Sequence, residues 1–321
     1  MRFRTAGEIV AVDAEPAWAG RLVDRATGAP AEAEPGLVPT VWLAIEERRD
    51  PFPLRGLRPV TRNAYADGRR VVLHNAGGSG FDLLLAVDDE LRVAARYRPG
   101  RPLRAANRVL RQRFALLAGQ VLVHYPVLWR AGWRGRVPLH AAVLRSAGAT
   151  PLVAGPSGVG KSTVLRDALA AGAVSTSDNL CCADADSCFG LAEPLRAAPT
   201  ADEHGQRTSH DRVELPFADR APVLAPDRLV VLERGPVTEL STISPAEAAQ
   251  ALVAGTYAAG ELRRYWAFAA TLALATGRGP AHPPIAEVAA VYADRLPGHR
   301  VRVGDGDRIS IRQLCGEEVA S

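Results

Sequence analysis

Gly155-Pro156-Ser157-Gly158-Val159-Gly160-Lys161-Ser162, followed by Thr163, has the form G-x-x-x-x-G-K-[ST]. The apolar run 151–154 precedes it and a helix-forming run, 163–169, comes after it. The spacing therefore predicts a strand, a glycine-rich loop and a helix. Glycines let successive backbone N–H groups turn toward one point, and the helix N-terminus adds partial positive charge. Lys161 supplies a compact ammonium and Ser162 a hydroxyl suited to Mg²⁺. The chemistry such a set serves is the holding of a nucleoside triphosphate. Lys161 is also the only lysine in 321 residues, every other strong base being arginine. A guanine-reading N-K-x-D would need a second lysine, so a GTPase of that kind is excluded.

Other residues can be placed around this loop. Residues 139–144 read as a strand and 146–150 as a turn, so 151–154 returns as the second strand of a hairpin. That pairing sets His140 opposite Gly155 or Pro156, beside the mouth of the loop. The helix after the loop should stop near Gly172, with a short buried strand over 173–177 ending at Asp178-Asn179. A right-handed crossover brings the end of that strand back to the loop. An acid there can hold a metal or take a proton from an attacking hydroxyl. Glu233, ending the apolar run 229–232, competes with Asp178 for this role; the shorter connection favours Asp178. Glu193 is a candidate second metal-side carboxylate, and Arg207 and Arg212, in a polar stretch, are candidates for neutralising charge in a transition state.

The elements that must position these residues divide the chain. Residues 1–98 carry short apolar runs (41–45, 71–73, 81–87) separated by proline and glycine and predict a β-rich N-terminal domain. Gly77-Gly78-Ser79-Gly80 lacks a following G-K-[ST] and reads as a hairpin turn. Residues 99–125 form a linker and one amphipathic helix over about 103–124, closed before Pro126. Residues 126–321 form the nucleotide-binding domain, with helices over about 245–254, 261–276 and 284–296 and a last strand near 308–312. Ser244 is a natural N-cap, with Pro245 at the first helical position.

The bulk composition excludes several classes. A hydrophobic share of 47%, a charged share of 23% and a net charge of +4 are ordinary for a soluble globular chain. No basic tail or aromatic-interleaved basic stripe suggests nucleic acid, and no signal-peptide pattern or run of about 20 apolar residues suggests export or a membrane span. A cytoplasmic location is expected, and the sequence is compatible with a homo-oligomer. Cys181, Cys182, Cys188 and Cys315 form no C-x-x-C pair. They read as buried fillers rather than, with His204 or His210, a metal site.

Together, 139–143 with His140, the hairpin, the loop 155–162 and Ser177-Asp178-Asn179 resemble the core of the HPr kinase family. The resemblance is strong over about 137–180 and loose over 190–300. It implies an α/β fold with a P-loop-containing, PEP carboxykinase/HPr kinase-like core, and ATP and Mg²⁺ as the bound groups. In the family a histidine before the loop lies near the transferred phosphate, matching His140. An acidic pair after the loop helix supplies base and metal ligand; Asp178 matches the first position, which implies the base that accepts the hydroxyl proton, while Asn179 at the second shifts the metal-side role toward Ser162 and Glu193. The family's glycine- and asparagine-rich phosphorolysis signature is absent. The chain is therefore more similar to the shorter HPr kinase-like enzymes, including lasso peptide kinases acting in RiPP biosynthesis. That implies a serine of a precursor peptide or protein as acceptor. A small-molecule kinase and a nucleotide-binding regulatory module are the alternatives, the latter favoured by Asn179.

Overall fold

The computed structural model describes residues 1–146, 148–197, 199, 206–208, 212–217, 220–304, 307, 309–310 and 314. It is a mixed α/β arrangement with several sheets. The first sheet is built from β1 (Arg2–Thr5), β2 (Glu8–Ala14), β3 (Val41–Glu46), β4 (Arg58–Thr61), β5 (Ala64–Ala66), β6 (Arg70–Leu73), β7 (Phe81–Val87) and β8 (Leu91–Tyr97). Their order is β1-β2-β3-β8-β7-β6-β5-β4. Strand β3 runs parallel to both β2 and β8, while the other neighbours are antiparallel. Alternation shows why one face is buried: Val41, Leu43 and Ile45 of β3 are enclosed while Trp42 and Ala44 between them are half-buried. The glycine stretch after β6 forms a 3₁₀ turn (Ala76–Gly78) leading into β7, with which β6 pairs antiparallel.

Helix α1 (Ala17–Thr27) packs beneath this sheet, its buried Ala19 and Val23 joining the sheet's apolar cluster. The single helix expected over 103–124 is broken and longer. Helices α2 (Arg101–Val109) and α3 (Arg111–Gly119) meet at Leu110, whose ψ of 55° departs from helical geometry. A π-turn (Gln120–His124) then leads straight into α4 (Tyr125–Gly132). Pro126 does not stop the chain there, because it falls at the first turn of α4, where an amide donor is least needed. Trp129 belongs to this helix and Trp133 to its end, edge to face at 4.9 Å.

Beyond α4 run β9 (Val137–Leu139), β10 (Ala141–Arg145), β11 (Pro151–Ala154), helix α5 (Lys161–Ala170), β12 (Val174–Ser175), β13 (Cys181–Ala183), β14 (Cys188–Gly190), β15 (Leu195–Ala197), β16 (Gln206–Arg207), β17 (Val213–Leu215), β18 (Val223–Leu224), β19 (Arg228–Arg234) and β20 (Glu239–Thr242). Helices α6 (Pro245–Ala258), α7 (Tyr265–Thr276) and α8 (Ile285–Arg295) and strand β21 (Gly298–Val303) complete the described elements. Ser244 caps α6 in a reciprocal box with Glu247. Of the last strand expected near 308–312, Arg308 and residues 311–312 lie outside the described residues, as do Cys315, His204 and His210.

These strands form a six-stranded sheet, β12-β10-β11-β19-β21-β20, a four-stranded sheet, β18-β14-β13-β9, and a three-stranded one, β15-β17-β16. Helices α6 and α8 pack on one face of the six-stranded sheet, and α5 packs on the other. The apolar cluster under the first sheet also takes in Leu180, Cys182, Leu191 and Ala192, so side chains from both ends of the sequence share one core. Where the chain leaves one sheet for another, it does so in very short spans. His140 is the residue between β9 and β10, Asp178 lies between β12 and β13, and Glu193 between β14 and β15.

Candidate functional site

The hairpin of β10 and β11 pairs Ala141 with Ala154, Ala142 with Val153 and Val143 with Leu152. Continued by one residue, this register sets His140 opposite Gly155, within the expected range. Strand β11 ends at Ala154, and α5 begins at Lys161, with Gly160 before it at φ 114°. Between them Gly155 and Gly158 also hold positive φ, and Gly155 lies so close to β19 that an added Cβ would meet the Leu232 carbonyl oxygen at 2.6 Å. A Gly155→Ala variant is expected to lose about 2–3 kcal/mol of stability in urea denaturation, from strained backbone plus that contact. Among the described residues, the amides of Ser157, Gly158 and Gly160 donate to no backbone carbonyl. The loop thus offers donors at the start of a ten-residue helix, an arrangement suited to an anion.

Lys161 is almost fully enclosed, and its ammonium donates to the carbonyls of Gly155 (2.7 Å) and Pro156 (3.1 Å). Burial pushes its pKa down to about 8, although the carboxylates of Asp178 and Glu261 oppose the shift. Asp178 has no exposed surface. Its Oδ2 accepts from the Arg196 backbone amide (3.0 Å) and the Asn179 side-chain amide (3.1 Å), while Oδ1 has no hydrogen-bond partner. Burial raises the Asp178 pKa, against the Arg196 amide and the Ser162 hydroxyl, which both favour the charged form. The structure therefore brings Ser162 and Asp178 together.

His140 is 4% exposed. Its backbone N–H donates to the Thr256 hydroxyl at 3.1 Å, the nearby Gly255 carbonyl favours the protonated ring, and Nδ1 has no hydrogen-bond partner. Burial, helped by the Lys161 charge, pulls the imidazole down to about 4, so it is neutral at physiological pH.

Glu193, expected as a metal-side carboxylate, is enclosed with both oxygens occupied. Oε1 accepts from the amides of Asn179 (2.8 Å) and Leu180 (3.0 Å), and Oε2 pairs with Arg196 at 3.3 Å. It fixes the turn that carries Asp178 rather than offering an oxygen to Ser162. Burial raises its pKa to about 7 against the pull of Arg196. Glu233 lies apart: it is 39% exposed and paired with Arg300 at 3.3 Å. Cys181, Cys182 and Cys188 are buried free thiols. Among the described residues no group of three or more His, Cys, Asp or Glu side chains is placed to hold a metal.

A cavity of about 450 Å³ opens beside Ser157, Gly158, His140 and Asn179. Arg212 lines it, whereas Arg207, exposed on β16, does not. The cavity is also lined by residues with no local sequence signal: Arg25 from α1, Gln112 from α3, Gln120, Arg196, Glu214, Glu261 and Arg264. Arg25 is held by Glu214 at 2.7 Å. Arg196, three residues after Glu193, and Glu214, two residues after Arg212, stood near residues that the sequence had marked.

No family model matches the chain, and no curated protein matches it. Among solved structures it is similar to an Hpr(Ser) kinase/phosphatase from Coxiella burnetii at 13% identity, with a TM-score of 0.23, over 33% of this chain and 77% of that one. Such a score is too low to establish a shared fold. Among the described residues no helix is long and apolar enough to cross a membrane.

Proposed function

We propose that the chain is an ATP-dependent kinase with a P-loop core of the HPr kinase type, transferring the γ-phosphoryl group to the hydroxyl of a serine in a peptide or protein. The observation that carries this reading is the fully buried Asp178 carboxylate, its Oδ1 without a hydrogen-bond partner, close enough to the Ser162 hydroxyl at the start of the helix after the glycine loop for that hydroxyl to favour its charged form. Two hard oxygen donors are what Mg²⁺ takes from a protein when phosphates and water fill its other positions. In this reading Ser162 and Asp178 hold the ion, which when bound neutralises charge on the β- and γ-phosphates. Lys161 and the amides of 157–162 orient those phosphates. His140, held neutral, lines the cavity beside the loop and would help to position the incoming group.

A second reading, a nucleotide-dependent binding module without transfer, is favoured by Asn179. Its amide donates to Asp178 where a second carboxylate would otherwise stand. The two separate in one assay. With Mg-ATP and an equimolar mixture of synthetic peptides, each bearing one serine, a kinase forms ADP together with an 80-dalton mass gain on a peptide, about one phosphate. ATP binding with ADP at the no-enzyme rate would instead leave the binding module.

A further inference from the structure

With a nucleotide held on the glycine loop, the site still lacks a carboxylate facing the acceptor. Asp178 does not line the cavity and is assigned to the metal, Glu193 is occupied by two amides and Arg196, and Glu214 is paired with Arg25. Glu261 differs from all three. It sits in the 3₁₀ turn Gly260–Leu262 between α6 and α7, half-buried, and lines the cavity together with His140, Ser157, Gly158 and Asn179. Among the described residues its carboxylate has no hydrogen-bond or ion-pair partner.

The turn is held in place. The Tyr125 hydroxyl donates to the Glu261 carbonyl at 2.9 Å and also to Gln120 Oε1 at 3.1 Å. Tyr125 itself is buried, so the backbone under Glu261 is anchored to the wall built by α3 and the π-turn. The Glu261 charge is felt at the loop, where it favours the protonated forms of Lys161 and His140.

We infer that Glu261, in the cavity lining, is the proton acceptor for the hydroxyl that receives the phosphoryl group, in place of Asp178, which the kinase reading assigns to the metal. The inference rests on the kinase reading. In the step, the acceptor oxygen forms the new bond to the γ-phosphorus, and the bond from that phosphorus to the β,γ-bridging oxygen breaks. The electron pair leaves with ADP, and the hydroxyl proton passes to the Glu261 carboxylate. This divides the work: Asp178 serves the nucleotide side and Glu261 the acceptor side. A cavity lined by α1, α3 and the α6–α7 turn then receives the acceptor.

The test compares wild type, Glu261→Gln and Glu261→Asp with the serine-peptide mixture and Mg-ATP, alongside ATP binding by calorimetry and thermal melting. The expected result is a fall in peptide phosphorylation of about 10²- to 10⁴-fold for Glu261→Gln, the range for loss of a general base. ATP affinity should stay within about threefold and melting should be unchanged, since the carboxylate bonds to no described neighbour; Glu261→Asp should recover part of the rate. Phosphorylation by Glu261→Gln within threefold of wild type overturns the inference and leaves the kinase reading standing. A wild-type protein that binds ATP and phosphorylates no peptide overturns both.

Discussion

Asp178→Asn is expected to lower phosphoryl transfer by about 10²- to 10³-fold, the range for removal of one preorganised charge at a reacting centre, while metal-free ATP binds within a fewfold of wild type. The loss follows from Oδ1, the one oxygen of this carboxylate that the protein leaves uncommitted. An amide at the same place cannot offer Mg²⁺ a negative oxygen. The same substitution is expected to stabilise the fold. Burial raises the Asp178 pKa, so the folded state disfavours the ionised form relative to the unfolded chain. That cost appears as pH rises above the ordinary value of 3.8 and grows until the folded group ionises. Asp178→Asn does not bear it. Its advantage in urea denaturation should therefore shrink as pH falls toward 3.8. Turnover near wild type would remove Asp178 from the site, and an advantage independent of pH would remove burial of its charge as the cause.

Lys161→Met is the second large effect. Loss of the ammonium should weaken ATP binding about 10- to 100-fold, as expected for one or two charge-assisted hydrogen bonds. The wild-type affinity should also decline as pH rises through about 8, where the free protein's Lys161 loses its proton. Stability should move the other way. A folded pKa of about 8 against an ordinary value of 10.5 means that holding the charge costs about 3 kcal/mol at neutral pH. The cost is full below pH 8 and vanishes above 10.5. Methionine removes it, while leaving the Gly155 and Pro156 carbonyls without their donor at about 1 kcal/mol each. The expected net gain is about 1 kcal/mol at pH 7, read by calorimetric melting. Unchanged ATP affinity would sink the assignment of the loop.

On both counts the site gains stability by losing its function, as is usual where charges are buried for chemistry rather than for folding. Much of that site was legible in the sequence because its parts lie close in the chain. A tight hairpin fixes His140 against Gly155 through register alone, and one short helix returns the chain to Asp178. The capping box at Ser244 was equally local. Glu261, Arg25 and Gln112 were not legible, because they reach the loop only through packing between elements distant in the chain. Nothing in residues 103–124 announced the break at Leu110, and Pro126 read as a stop because a preceding π-turn cannot be foreseen from apolar spacing. Glu193, marked as a metal-side carboxylate, is buried with both oxygens engaged. Its partners, two amides and Arg196, depend on the turn closing around it.

His140, Asp178 and Glu193 each occupy a joint where the chain passes from one sheet to another, and His140 is by itself the whole of its joint. A joint of a single residue has no slack, so a small rotation of the four-stranded sheet against the six-stranded one must turn the imidazole. The reactive groups are in this sense fixed to the framework's corners rather than to any one wall, and their spacing is a gauge of how the sheets are set against each other.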